Sequence, residues 1–135
     1  MFVDRAWWQM HQTEVIRDFK GTPITPAAGV PGILKVKFSP QISNSGVAAV
    51  GLAHQLGAAR IVLLGYDADC GPKGERHWHG DHPAGLGNAG SMPKWPAMFQ
   101  ALALRVKSAE VRNASRHTKL QCFQRQALEE ALCDC

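Results

Sequence analysis

The sequence predicts an α/β domain organised around a parallel sheet, and three observations carry that prediction. Apolar residues recur at helical spacing in several separate segments. Ile61-Val62-Leu63-Leu64 is a continuous apolar run, the pattern of a strand covered on both faces as in parallel sheets. Helices and strands then alternate along the chain, the order from which parallel sheets are built. A length of 135 residues is that of one domain, taken here as a single unit over 1–135.

The elements follow in order. From Arg5 to Phe19 the residues Trp8, Val15, Ile16 and Phe19 lie near helical spacing, and Gly21 with Pro23 stops the helix. Gly21 to Gly32 carries Pro23, Pro26 and Pro31 and reads as a loop before a short strand, Ile33 to Phe38. Ser43-Asn44-Ser45-Gly46 supplies capping residues for a helix over Val47 to Leu56, which Gly57 ends. The apolar strand follows, and after Gly65-Tyr66-Asp67 a stretch rich in glycine and histidine runs to about Pro93. That stretch is too long for a mere connector, and such loops are commonly functional. Beyond it the pattern predicts a helix over Trp95 to Val106, a strand over Glu110 to Asn113 and a terminal helix over Ala127 to Leu132.

Composition narrows the function classes. With 45% hydrophobic and 19% charged residues the chain has enough apolar surface to fold and lies far from the signature of disorder. No apolar run approaches the roughly 20 residues of a membrane span. The first residues lack a basic stretch followed by an apolar one, so a cytoplasmic location is expected. In that compartment Cys70, Cys122, Cys133 and Cys135 are read as reduced thiols, and the Cys133-Asp134-Cys135 end as a frayed tail in preference to a metal clip. The formal charge of +4 comes from scattered basic residues, which permits nucleic acid without indicating it and equally suits a nucleotide.

Three constellations can carry chemistry. His77-Trp78-His79-Gly80-Asp81-His82 gathers imidazoles and a carboxylate, ligands suited to zinc, with a metal site on His77, His79, Asp81 and His82 as one reading. A loop whose histidines bond to backbone or solvent is the plainer one. The spacing also fits the H-x-H-x-D-H signature of metallo-β-lactamases. Gly71 to Arg76 intervenes between it and the strand such a motif should directly follow, however, and His117 is the only further imidazole downstream. Asn44-Ser45-Gly46 at a helix start offers free N–H groups to an anion, although asparagine and serine there are also ordinary caps. Gly65 and Asp67 follow the apolar strand, where ligands of open α/β sheets bind, and a carboxylate there can orient a sugar hydroxyl or simply face solvent.

Taken together, Ser43-Asn44-Ser45-Gly46, Leu52-Ala53, Leu56-Gly57-Ala58 and Ile61-Val62-Leu63-Leu64-Gly65-Tyr66-Asp67 resemble the central unit of bacterial sialyltransferase-like glycosyltransferases and of hydroxymethylpterin pyrophosphokinase-like domains. Across nearly the whole chain, Asp4, Trp7-Trp8, His77 to Pro83, Trp95, Asn113-Ala114-Ser115 and Leu120 are similar to a set of uncharacterised phage and prophage proteins. The resemblance implies a Rossmann-like nucleotide-binding fold in an infected or lysogenic bacterial host. It implies that Ser45, Gly46 and Asp67 belong to a cytidine-nucleotide site, beside which Asn44 and Gly65 are expected as further binding residues, and that His79 or His82 serves with Asp67 in catalysis, the histidine as general base. Those relatives usually begin with a strand and a glycine-asparagine-glycine phosphate loop ahead of the Trp-Trp region. This chain is expected to lack that first strand-loop-helix unit, which would compromise nucleotide affinity and activity, with a partner subunit or a purely structural role as the consequence.

Three functional readings result. The first is a nucleotide- or nucleotide-sugar-binding transferase in which a loop histidine deprotonates an acceptor hydroxyl, with Arg76 or Arg116 offsetting the leaving group's charge. The second is a metal-dependent hydrolase in which zinc on the histidine segment activates a water. The third is a non-catalytic phage structural or accessory protein, self-associating or bound to another phage protein, whose tryptophans Trp7, Trp8, Trp78 and Trp95 pack a core or an interface.

Overall fold

The computed structural model describes residues 1–37, 44–77 and 79–133. Helix α1 (Arg5–Asp18) is followed by β1 (Ile24–Thr25), β2 (Leu34–Lys35), α2 (Ser45–Gln55) and β3 (Arg60–Leu63). A 3-10 turn (Met92–Lys94) then leads into α3 (Trp95–Ala103), β4 (Glu110–Asn113), β5 (Gln124–Arg125) and α4 (Leu128–Cys133). Among these residues all strand pairs are parallel: β1 with β2, and β3 with β4 with β5, β4 lying in the middle. The fold is therefore α/β with parallel sheets, as the alternation of elements predicted.

Local chemistry explains the central unit. Asn44 is extended and its side chain accepts from the Val47 N–H at 2.9 Å, capping α2. Gly57, at φ +87, takes the left-handed conformation that lets the chain leave the helix and enter β3. Parallel strands need a crossover, and the segment between β3 and β4 supplies it through α3. The two strands register Arg60 against Glu110 and Leu63 against Asn113. At the amino end of this ladder the Glu110 carboxylate accepts from Arg112 and Arg60, the latter at 2.8 Å. Those two guanidiniums, Arg112 first, hold its carboxyl below the usual range.

The core lies between the sheet and two helices: Val47 and Val50 of α2, Leu63, Phe99 and Leu102 of α3, then Val106, Leu120 and Phe123. Three expectations are corrected here. Of the apolar strand only Leu63 is fully buried, because β3 has β4 as its single neighbour among the described residues and lies at the sheet's edge. Along α1 only Trp8 is buried, while Ile16 and, just beyond the helix, Phe19 are 68% and 53% exposed, so apolar spacing alone overstated that helix's inner face. The third helix ends at Ala103, short of Val106.

Two short strands went unanticipated. β1 arises inside the proline-bearing loop, and of the predicted Ile33–Phe38 strand only Leu34–Lys35 forms, Phe38 lying outside the described residues. β1 is held to the chain start by the Thr25 hydroxyl, which donates to the Phe2 carbonyl at 2.8 Å, and Phe2 stacks on Trp8 with ring centroids 4.7 Å apart. Two-residue strands such as β1 and β5 carry no alternation for a sequence reading to detect. Cys70, Cys122 and Cys133 are free thiols, with Cys135 outside the described residues. Among the described residues no helix is long and apolar enough to cross a membrane.

Candidate functional site

The carboxyl end of β3 opens into a turn that the loop following β4 clamps. The Tyr66 N–H donates to the Ser115 hydroxyl at 2.8 Å, and the Thr118 hydroxyl donates to the Tyr66 carbonyl at 2.7 Å. Asn113, with no exposed surface, joins the two: its side-chain amide donates to Thr118 at 3.2 Å and its carbonyl accepts the Ser115 N–H at 3.0 Å. The Lys119 N–H then donates to the Asp67 carbonyl at 2.8 Å. Beyond it, the Lys119 ammonium pairs with Asp69, which holds that carboxyl below its ordinary value. A buried polar network satisfied in this way rigidifies the segment it joins.

The amino end of α2 lies against this turn. A Cβ on Gly46 would fall 3.0 Å from the Tyr66 ring and 3.2 Å from the Asn44 side chain, so glycine is what permits the close approach. Tyr66 packs edge-on to Phe99 of α3, and burial pushes its phenol up. Between these pieces is a cleft of about 690 Å³, walled by Asn44-Ser45-Gly46, by Gly65-Tyr66-Asp67 and by the histidine segment through His77. Its size lies within the range of small-molecule sites, and its position beyond the carboxyl ends of parallel strands is where α/β sheets bind ligands. Asp67 and Gly65 also border a second cleft of about 930 Å³, on whose rim stand Arg116 and His117.

The histidine segment curls through glycine and asparagine. Gly80 sits at φ +85, the left-handed conformation glycine permits, and its N–H donates back to the His77 carbonyl at 3.3 Å. The Asn88 side chain accepts the His82 N–H at 2.6 Å, and the Asn88 backbone carbonyl accepts from Arg76 at 3.3 Å. As a result the rings of His77 and His79 stack at 5.1 Å, and His82 stands 4.5 Å from His77 and 4.9 Å from His79. One ligand atom from each lies within 4.8 Å of the others. The Nε2 of His77 is buried without a hydrogen-bond partner among the described residues. Desolvation first, then the neighbouring His82 and His79, push the His77 pKa below the ordinary imidazole value against a weaker pull from Asp81.

The sequence-predicted residues divide accordingly. Asn44, Ser45, Gly46, Gly65 and Asp67 share the main cleft. Of the histidines it is His77 that borders this cleft, whereas His82 borders an adjoining one of about 290 Å³ beside Ser45 and Asp4. His79 is exposed and stacked on His77. Asp81 is exposed and stands outside the three-histidine group; Ser43 and Trp78 lie outside the described residues. Residue-type reasoning missed the supports, Asn113, Ser115 and Thr118. The available signal was Asn113-Ala114-Ser115, quoted for the family likeness but without a role. Asp4, which caps α1 by accepting from the Ala6 N–H at 2.8 Å, also reaches the rim of the main cleft.

Comparisons with protein-family models, with curated proteins and with solved structures find no match to this chain.

Proposed function

We propose that this is a Rossmann-like, phage-type transferase domain that binds a nucleotide or nucleotide-sugar in the cleft above β3. The observation that carries the reading is the convergence of a capped helix start, a strand-end carboxylate and an imidazole on one cavity of about 690 Å³. Each wall suits one part of such a ligand. The first turn of α2, an eleven-residue helix, offers N–H groups and the positive end of its dipole to a phosphate. Asp67 can accept from sugar hydroxyls, and the Trp95 and Phe99 side of the cleft gives a base an apolar wall.

In the transfer step an acceptor hydroxyl attacks the anomeric carbon of the donor sugar. A new C–O bond forms, the bond to the nucleotide phosphate breaks, and the hydroxyl proton passes to a histidine. His77 is the member of the loop that borders the same cleft as Asp67, and its lowered pKa keeps it neutral and able to accept that proton near pH 7. His79 and His82, the bases expected from the sequence, then flank it. Arg116, on the neighbouring cleft, is available to offset negative charge on leaving or acceptor groups.

Calorimetric titration of the purified protein with cytidine and other nucleotides tests the reading. Saturable binding is expected, weakened about tenfold or more by Asp67→Ala, the loss of roughly one charged hydrogen bond. If no nucleotide binds saturably to the unmutated protein, the reading fails.

A further inference from the structure

We propose that His77, His79 and His82 form a binding site for one divalent transition-metal ion of the zinc type, at the rim of the main cleft. This goes beyond the nucleotide reading and does not depend on it: an ion held by His77 replaces that residue's role as base and leaves the nucleotide-binding walls of the cleft unchanged.

The donor set defines the ion. Three imidazole nitrogens suit zinc and its first-row neighbours, whereas calcium and magnesium require oxygen ligands, and the carboxylate of this segment stands outside the group. Geometry supplies the second argument. In a tetrahedral zinc site with bonds of about 2.0 Å the ligand nitrogens stand ~3.3 Å apart. The three rings already bring one nitrogen each within 4.8 Å, so small rotations about the side chains complete the site.

The loop is also shaped for this gathering. The left-handed Gly80 bonds back to the His77 carbonyl at 3.3 Å, and the Asn88 side chain holds the His82 backbone at 2.6 Å. The buried Nε2 of His77, which finds no hydrogen-bond partner among the described residues, gains a partner in such an ion. Three protein ligands leave a coordination position for water or for an oxygen of whatever occupies the cleft.

The test uses the full chain, stripped with a chelator and titrated with Co²⁺, whose d–d absorption reports tetrahedral coordination, followed by displacement with Zn²⁺. One equivalent of Co²⁺ should bind with visible absorption bands. His79→Ala, a change at an exposed side chain, should weaken binding by at least about 100-fold, more than loss of a group that merely orients a ligand. His11→Ala, His54→Ala and His117→Ala, which leave the cluster intact, should bind as the parent does. Circular dichroism confirms that each variant is folded, and His82→Gln provides a second ligand change should one of them not be. No saturable Co²⁺ binding, or equal binding by His79→Ala and the parent, overturns the proposal and leaves a loop of solvated, stacked histidines. Nucleotide titration of the chelator-treated protein keeps the two readings apart: metal bound without nucleotide removes the transferase reading alone, and nucleotide bound without metal removes this one alone.

Discussion

The two segments that meet at the main cleft are held in different ways. The turn after β3 is fastened by side chains more than forty residues away, Ser115 and Thr118, which Asn113 in turn fixes from within the core. The histidine segment is organised by near neighbours: Gly80 on His77, His82 on Asn88, and ring against ring. The first arrangement is set by the fold and should persist whatever the cleft contains. The second rests on a few short-range bonds at the surface, so its final geometry should respond to a ligand or ion.

The sharpest way to break this contrast is to remove the fastening. Asn113→Leu leaves the buried Ser115 N–H without its acceptor and frees Thr118, at an expected cost of about 2–3 kcal/mol. A lower urea midpoint with an unchanged slope would confirm it, and stability equal to the parent would show that the network is dispensable. A smaller effect is expected from Gly46→Ala. Its added methyl crowds the Tyr66 ring at 3.0 Å, at a cost of about 1–2 kcal/mol if the ring must shift. Tyr66 is the chain's one tyrosine, so fluorinated tyrosine gives a single resonance whose movement reads the site directly.

The smallest effect is a dependence on pH that belongs to the histidine segment. His77 has a native pKa lowered from the ordinary 6.5, so the unfolded chain binds its proton more readily. Its neutral form therefore favours the fold above that value. Stability is lost as pH falls through the ordinary value, and the loss is complete below the native pKa. Comparing thermal midpoints of the parent and His77→Ala between about pH 7.5 and 5 isolates this contribution, since alanine does not titrate. The parent should lose more stability over that interval, and parallel curves would show that His77 titrates normally.

Much of the scaffold was legible before any coordinates. Asn44 and Gly57 bracket α2 because capping is a local preference, and Glu110 to Asn113 forms β4 with the bounds its sequence pattern predicted. Burial was read less well. A four-residue apolar run looks the same at the edge of a sheet as at its centre, and Ile16 and Phe19 fit a helical stripe that the fold leaves in water. The polar supports escaped notice because Asn113, Ser115 and Thr118 are ordinary loop residues until the parallel register brings them beneath Tyr66.

By itself the sequence determined which segments become helices, where the β3 strand ends and which loop carries the imidazoles, since propensity, capping and residue type act over a few neighbouring positions. Only the tertiary structure decided that Ser45, Asp67 and His77 face one cavity, and that His77 instead of His79 or His82 borders it. Those are distances through space between positions 45, 67 and 77. They depend on the parallel pairing of β3 with β4, which joins Arg60 to Glu110 and so is not encoded in any one stretch of chain.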